Sequence, residues 1–256
     1  MNIVPCLQLI DVDQIFFHEP VEPARLKRIL PEIQKEGILH HPIIVTSLSK
    51  NKYLVLDGAH RAHSLRQLGY PKIPVQLVDT TNISIEPWEH LLQTGPWLDS
   101  LQQELPLKWM DRLLSNSPVA TVVYPDQTKF WIYPKYESMK HRTRTHLKEW
   151  CQLVEFYTQD QSVIRLPQGK YIFPKENQIL FRFPTLTLEE IKEIVYAGEL
   201  LPAGVTRFIV QGRLLNLNIP LSLLTCTLNK SEWEKFCEKK ANKLRLYSES
   251  VYLCEV

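Results

Sequence analysis

The stretch that most constrains the fold runs from residue 54 to 69, LVLDGAHRAHSLRQLG. Three apolar residues lead into Asp57 and Gly58, and two histidines and an arginine follow at once. A short apolar run, a glycine and then a helical pattern predict a strand, a sharp turn and a helix. The polar residues at this turn are therefore either helix caps or part of a binding site.

The first 80 residues predict a compact α+β unit. Residues 22–37 predict an amphipathic helix, because apolar residues recur at spacings of three and four; Pro31 predicts a kink or a division into two short helices. PIIVTSL and KYLVLDG, separated by the polar SKNK, predict a hairpin, and IPVQLVD predicts a further strand. We therefore expect a first domain over residues 1–80.

The rest of the chain has a different pattern of apolar residues. Residues 81–115 are rich in Trp and Leu at helical spacings, which predicts a helical connector. Residues 116–256 return to apolar strand patterns and then helical ones, with Thr187 and Glu190 placed as a capping box. The fold class predicted is α+β, with two lobes joined by the connector.

Composition excludes several classes of protein. The 256 residues carry a net charge of +2, so bulk charge gives no reason to expect nucleic acid. No apolar run approaches the roughly 18 residues of a membrane helix, and the N-terminus does not resemble a signal peptide. Five scattered cysteines without a CxxC pair predict reduced thiols, no zinc site and a cytoplasmic location.

The chemistry of the turn suits a phosphate and a metal ion. Gly58 allows a backbone turn with positive φ, and the helix N-terminus behind it offers unpaired N–H groups to an anion. His60 and Arg61 add donors, while the Asp57 carboxylate is an oxygen ligand of the type that Mg²⁺ prefers. The alternative is that Asp57 only caps the helix. Cationic residues in a first turn favour the binding site, because they oppose the helix dipole unless an anion is bound.

The segment YLVLDGAHRAHSLRQLGYPKIPVQLVD resembles the ParB/sulfiredoxin-like nucleotide-binding fold. That fold includes partition proteins that bind CTP, sulfiredoxins and free serine kinases. Ala59 stands where sulfiredoxins require a cysteine, which excludes sulfinic acid reduction. A second segment, PAGVTRFIVQGRLLNLNIPLSLL at 202–224, is similar to the free L-serine kinases of staphyloferrin B siderophore biosynthesis.

The resemblance implies phosphoryl transfer from ATP, or alternatively ADP, to the hydroxyl of free L-serine with Mg²⁺. It implies a catalytic role for Glu19 and both a catalytic and a metal-binding role for Asp57. The nucleotide-binding residues it implies are Thr46, Gly58, Ala59, His60 and Arg61. The serine-binding residues it implies are Trp88, Thr206 and Arg207, since an arginine pairs bidentately with a carboxylate.

A second hypothesis is a nucleotide- or ligand-sensing, DNA-binding regulator of siderophore genes. Basic clusters at 140–148 and 239–245 would serve it, although such charge runs are usually solvated. His141 and His146 would be its candidate metal or haem ligands. No Walker or kinase glycine-rich sequence is present, so phosphate binding depends on the turn at Asp57 alone.

Overall fold

The computed structural model describes residues 6–115, 118–135, 142–169, 173–225 and 230–246. The strands among these residues are β1 (Leu7–Asp11), β2 (Ile15–Phe16), β3 (Ile38–Leu39), β4 (Ile43–Ser49), β5 (Lys52–Asp57), β6 (Lys72–Leu77), β7 (Ile83–Gln93), β8 (Leu107–Met110), β9 (Ala120–Val123), β10 (Lys129–Pro134), β11 (Ile164–Pro167), β12 (Gln178–Arg182), β13 (Thr206–Val210) and β14 (Ile219–Pro220). The α-helices are α1 (Pro23–Glu36), α2 (Ala59–Gln67), α3 (Pro96–Glu104), α4 (Arg142–Asp160), α5 (Leu188–Tyr196) and α6 (Lys230–Ala241).

The chain divides into two compact units. Unit 1 comprises residues 1–15, 23–82 and 210–256, and unit 2 comprises residues 16–22 and 83–209. The change at residue 82 lies close to the predicted end of the first domain at residue 80. The C-terminal segment of unit 1 was not predicted.

Unit 1 is built on a sheet with the strand order β1-β6-β4-β5-β2. β4 and β5 form the predicted antiparallel hairpin, and β4 runs parallel to β6. The interior is apolar on both sides of the hairpin turn, with Ile43 and Leu54 fully buried. α1 packs on α2. Because β5 ends at Asp57 and α2 begins at Ala59, the turn between them lies at one end of the sheet.

Helix α1 is continuous, so of the two outcomes predicted at Pro31, a kink or a division into two short helices, the division does not occur. Pro31 lies inside the helix, and a proline removes only one backbone hydrogen bond and crowds one carbonyl. The helix ends at Gly37, whose φ is +66° and whose N–H bonds to the carbonyl of Ile33. This is the left-handed C-terminal residue that the sequence indicates.

Residues 210–246 belong to unit 1, whereas the sequence places them in a domain spanning 116–256. β14 pairs antiparallel with β3, where Ile219 lies opposite Leu39. The N–H of Leu221 bonds to the carbonyl of Gly37, and that of Asn218 bonds to the carbonyl of His40. These backbone bonds join the segment after residue 210 to residues 37–40. The sequence does not predict the pairing, because its patterns indicate only local structure.

Unit 2 contains a mainly antiparallel sheet with the order β11-β7-β12-β9-β10-β8, and β13 also pairs with β7. Trp150, Tyr157 and Phe181 are among its fully buried side chains. β7 covers eleven residues inside the predicted helical connector, 81–115. Apolar and polar residues do not alternate clearly along β7, because the second half of the strand is buried on both faces. Periodicity cannot distinguish such a strand from a buried helix.

Other predicted elements are confirmed. Strands β9, β10 and β12 and helices α5 and α6 lie where apolar patterns indicate them. The Thr187 hydroxyl accepts from Glu190 N–H, completing the capping box. Among the helices of the described segments, none has the length and apolar character to cross a membrane. Residues 140 and 141 of the first basic cluster, including His141, lie outside the described residues.

Candidate active site

The turn between β5 and α2 has the geometry that the sequence predicts. Gly58 is the N-cap residue of α2, with φ +91°, and as a glycine it makes no side-chain capping bond to the helix. A Cβ at this position would lie 2.8 Å from Nη2 of Arg61, so both conformation and space require glycine. The first N–H groups of α2 lack intrahelical acceptors. An uncapped helix N-terminus next to a close backbone turn is suited to an anion.

The Arg61 side chain is used mainly to shape this turn. Its Nη1 donates to the carbonyls of His41 and Pro42 at 2.8 and 3.1 Å. Its Nη2 lies 3.4 Å from Oδ2 of Asp57. The side chain is only 19% exposed. Arg61 therefore contributes positive charge at the predicted phosphate position while holding the residues before β4 in place.

Asp57 also pairs with an arginine from the far end of the chain, since Nη2 of Arg213 contacts Oδ2 of Asp57. Gln76 is almost fully buried and holds the backbone on either side of Arg213. Its Nε2 donates to the carbonyl of Gly212 and its Oε1 accepts from the N–H of Leu214, both at 2.9 Å. No local pattern in the sequence indicates that Arg213 reaches Asp57, 156 positions earlier. We call Asp57, Gly58, Arg61 and Arg213 the Asp57 corner.

The Asp57 corner carries one carboxylate and two guanidinium groups, so it has an excess positive charge that suits a phosphate. Within the described segments, no cluster of three or more His, Cys, Asp or Glu side chains forms a metal site. Mg²⁺ does not need such a cluster, because it is often held by one or two carboxylates together with substrate phosphates and water. Asp57 is 42% exposed and fits that single-carboxylate arrangement.

Thr46 does not lie at the end of its strand as the sequence suggests. It lies in the middle of β4 and is 1% exposed. Its hydroxyl donates to the carbonyl of Val78 at 3.0 Å. Burial and this bond within unit 1 argue against the predicted nucleotide contact.

Glu19 belongs to unit 2, where it is held by a turn of residues 201–205 that we call the Gly204 turn. Oε2 of Glu19 accepts from the N–H of Gly204 at 3.0 Å. The neighbouring His18 is buried, and its carbonyl accepts from the N–H of Leu201 at 2.7 Å. The Glu19 carboxylate is therefore oriented by one backbone donor, the N–H of Gly204, and 26% of its side chain is exposed.

The Gly204 turn is held by residues that the sequence did not indicate. Nε2 of His90 lies 2.6 Å from the carbonyl oxygen of Gly204, and Nδ1 of His90 lies 2.5 Å from the hydroxyl of Tyr157. Burial lowers the pKa of His90 to about 4. Gly204 has φ +76°, and a Cβ there would collide with the guanidinium of Arg165. Arg165 in turn pairs with Glu22 at 2.8 Å.

The predicted serine-binding residues Trp88 and Arg207 lie together in unit 2. The guanidinium of Arg207 lies over the Trp88 ring, 4.9 Å from its centroid, and 3.6 Å from a carboxylate oxygen of Glu86. The N–H of Trp88 bonds to the carbonyl of Val205. Thr206 is 8% exposed. A partly exposed guanidinium on an aromatic wall is able to bind a small carboxylate.

Comparison with known proteins gives consistent matches. Residues 6–86 match the ParB N-terminal domain. The ATP-dependent L-serine kinase SbnI of Staphylococcus aureus is 37% identical over 252 residues, which cover 97% of each chain. An ATP-dependent L-serine kinase of Staphylothermus marinus is 27% identical over 84% of this chain and 90% of its own length.

Solved structures agree with the fold. SbnI with a C-terminal truncation superposes with a TM-score of 0.84 at 35% identity, covering 95% of this chain and 99% of that one. A free serine kinase in complex with AMP superposes with a TM-score of 0.69 at 18% identity, covering 86% and 93%. Unit 1 thus has the fold of the ParB/sulfiredoxin class, as predicted.

Within that class, the chain belongs to the family of ATP-dependent L-serine kinases that includes the Staphylococcus aureus protein. The relatives matched along most of this chain are serine kinases. The DNA-binding regulator is therefore not favoured.

Proposed function

We propose that this protein is an ATP-dependent L-serine kinase that produces O-phospho-L-serine and ADP. The observation that carries the proposal is the 37% identity to such a kinase over 97% of both chains. The Asp57 corner supports it with positive charge, an uncapped helix N-terminus and one carboxylate. The free serine kinase structures in complex with AMP and ADP are consistent with an adenine nucleotide as donor.

In this proposal unit 1 binds the nucleotide. The N–H groups at the start of α2, behind Gly58, bind phosphate oxygens, and Arg61 and Arg213 offset their charge. Asp57 holds Mg²⁺ through its carboxylate. When bound, Mg²⁺ neutralises charge on the phosphates of the donor. His60 and Ala59 belong to the same first turn and are assigned to the nucleotide with it.

Unit 2 binds L-serine and accepts its proton. Arg207 pairs with the serine carboxylate, and Trp88 forms the wall beside its guanidinium. Thr206 is nearly buried and is assigned to the same serine-binding segment. Glu19 orients the serine hydroxyl and takes its proton as the oxygen attacks the terminal phosphorus. The bond between that phosphorus and the oxygen bridging it to ADP breaks, and ADP leaves. Gly204 holds Oε2 of Glu19 throughout.

Incubation of the full-length protein with L-serine, ATP and Mg²⁺ tests the proposal, with O-phospho-L-serine measured by mass spectrometry. We expect product that depends on serine, nucleotide and Mg²⁺, and parallel reactions with ADP identify the preferred donor. D-serine and L-threonine serve as matched acceptor controls. Absence of O-phospho-L-serine with both ATP and ADP would overturn the proposal.

We also propose a cytoplasmic enzyme whose product supplies precursor synthesis for the siderophore staphyloferrin B. The scattered cysteines without a CxxC pair support the location, and the resemblance at residues 202–224 supports the pathway. Deleting the gene and measuring siderophore under iron limitation tests it. We expect production to fall and to return when O-phospho-L-serine is supplied. Unchanged production would contradict the pathway and leave the kinase proposal standing.

A further inference from the structure

We propose that His90 is a positioning residue for Glu19, acting through the Gly204 turn. This inference deepens the proposed function, because it concerns how the proton acceptor of the kinase is held. His90 binds the carbonyl of Gly204, and the N–H of the same residue binds Glu19. A side chain from the middle of β7 thereby sets the donor that orients the carboxylate.

The two bonds at Gly204 are mechanically coupled. Its N–H and C=O lie on the two peptide planes that meet at the Gly204 Cα, so φ and ψ of this residue set the direction of one group relative to the other. Gly204 is in the left-handed region with φ +76°, and no side chain of its own restricts it. Without a partner on the carbonyl, the residue would have many accessible conformations. The bond to His90 selects the one in which the N–H faces Oε2 of Glu19.

The hydrogen-bond pattern defines the state of the His90 ring. A carbonyl oxygen only accepts, so Nε2 of His90 carries the proton that faces Gly204. In a neutral ring Nδ1 then accepts, and the Tyr157 hydroxyl is the donor at 2.5 Å. The low pKa of His90, about 4 as a result of burial, is consistent with a neutral ring. Tyr157 thus holds the tautomer that His90 needs.

Burial separates this role from direct contact with substrate. His90 is 1% exposed, and the largest buried side chains of unit 2 include Tyr157 and Phe181. The ring of His90 packs edge-on against Tyr157 and Phe183. His90 therefore acts through Gly204 and not on the reacting atoms.

The Gly204 turn also leads directly into the predicted serine-binding residues. Thr206 and Arg207 begin β13, immediately after the turn. β7 holds this region at two points. His90 binds the carbonyl of Gly204, and the N–H of Trp88, two residues earlier on β7, bonds to the carbonyl of Val205. The same histidine therefore supports both the proton acceptor and the start of the serine-binding strand.

Amide hydrogen exchange at Gly204, followed by NMR in the full-length protein, tests the coupling without any turnover. We expect Glu19→Ala and His90→Leu each to speed Gly204 exchange by about tenfold or more, because each removes a bond that holds the turn. His90→Gln, which can still donate to the carbonyl, should keep the rate within about threefold. Leu92→Ala, a buried substitution on the same strand, is the matched control and should leave Gly204 protected.

Kinetics test whether the coupling reaches catalysis. We expect His90→Leu to lower kcat by about tenfold or more in the wild-type background. In a Glu19→Ala background it should lower kcat by less than about twofold, because both substitutions act on the same carboxylate. Leu92→Ala should reduce kcat by the same factor in both backgrounds. Nucleotide affinity should not change with His90→Leu.

The outcomes separate the inference from the proposed function. Unchanged Gly204 exchange in His90→Leu would overturn the inference, whatever the activity. Equal losses of kcat in the wild-type and Glu19→Ala backgrounds would overturn it as well. If His90→Leu does not fold, Tyr157→Phe replaces it, with a smaller acceleration of Gly204 exchange expected and no change contradicting the inference. Failure of the wild type to form O-phospho-L-serine would overturn the function, while the exchange result still decides the coupling.

Discussion

The Asp57 corner of unit 1 and the Gly204 turn of unit 2 position functional groups in opposite ways. The Asp57 corner is charged and half-exposed, with exposed fractions of 42% for Asp57 and 40% for Arg213. The Gly204 turn is held by two neutral buried groups: His90 binds the carbonyl of Gly204 and Tyr157 binds His90. These side chains are 1% and 0% exposed. Exposed charges are suited to capturing a charged ligand, whereas buried neutral bonds are suited to holding a group rigid.

The difference has consequences for perturbation. Exposed ion pairs contribute little to stability, typically about 0–1 kcal/mol, so changes to the Asp57–Arg213 pair should mainly alter ligand binding. A buried group left without its partner costs about 1–3 kcal/mol, so changes beneath the Gly204 turn should alter stability as well as activity.

The largest effect is expected at Glu19. Glu19→Gln should lower kcat by about 10²-fold or more, because the proton acceptor is lost while the amide oxygen still accepts from Gly204. Nucleotide affinity, assigned to unit 1, should be nearly unchanged. Isothermal titration with ATP and steady-state kinetics measure the two quantities. Glu22→Gln, three residues away and paired with Arg165, is the matched control. An equal loss of nucleotide binding in Glu19→Gln would show a structural role.

The next effect concerns pH and unit 2. The pKa of His90 is about 4 in the folded protein against 6.5 for an ordinary histidine, so the unfolded state binds more protons between those values. The stabilisation is fully present above about pH 6.5 and is lost as pH falls towards 4. Between pH 7 and pH 5 we expect a loss of about 2 kcal/mol in the free energy of unfolding.

Urea titrations at several pH values measure this loss, and His90→Gln should reduce it. Asp57→Asn in unit 1 is the comparison: His90 stays in place, so the part of the loss that His90→Gln removes should remain. A slope that persists in His90→Gln would assign the acid sensitivity to another group.

A smaller effect is expected at the metal ligand. Asp57→Asn should weaken binding of Mg²⁺–ATP by about tenfold. Binding of ATP in EDTA should change much less, because the neutral amide still lies beside Arg61 and Arg213. Titrations with and without Mg²⁺ give the comparison. Equal effects in the two conditions would remove Asp57 from the metal site and leave it as an ion-pair partner.

Gly58 tests the backbone of the Asp57 corner. Gly58 and Gly69 both have positive φ, +91° and +78°, but only at Gly58 would a Cβ meet another group within 4 Å, the Arg61 guanidinium. Gly58→Ala and Gly69→Ala should both be destabilising, with Gly58→Ala worse by about 1 kcal/mol. Only Gly58→Ala should also weaken ATP binding. Equal changes in both properties would mean that Arg61 moves aside without consequence.

The smallest effect is expected at Thr46. Thr46→Val removes the hydroxyl that donates to Val78 and keeps the shape of the side chain. We expect a loss of about 1 kcal/mol in the free energy of unfolding and unchanged ATP affinity. Thermal melting with and without nucleotide measures both. A weakened affinity would restore the original prediction that Thr46 contacts the nucleotide.

The structure of unit 1 around the turn between β5 and α2 is predictable from local sequence. The β4–β5 hairpin, Gly58 with positive φ and the start of α2 all follow from residues within twenty positions of one another. The capping box at Thr187 is local in the same sense. Such features depend on backbone propensity and side chains three or four residues apart, which the sequence displays directly.

The remaining features depend on contacts between distant segments. Asp57 meets Arg213 only because Gln76 holds residues 212 and 214. His90 reaches Gly204, 114 positions later. The residues of β7 predict a helix because the buried second half of the strand lacks the alternation of apolar and polar residues. No local pattern encodes these pairings; the turn-forming residues of QGRLLNLN indicate only that the chain bends there.

The threading of the chain has a consequence for the order in which the protein is completed. Unit 1 closes only when residues 210–256 join it, and those residues are translated after all of unit 2. On the ribosome, a nascent chain ending at Ile209 has a complete unit 2 sequence but lacks β14 and Arg213. The nucleotide capture proposed for the Asp57 corner would therefore be one of the last properties that the growing polypeptide acquires.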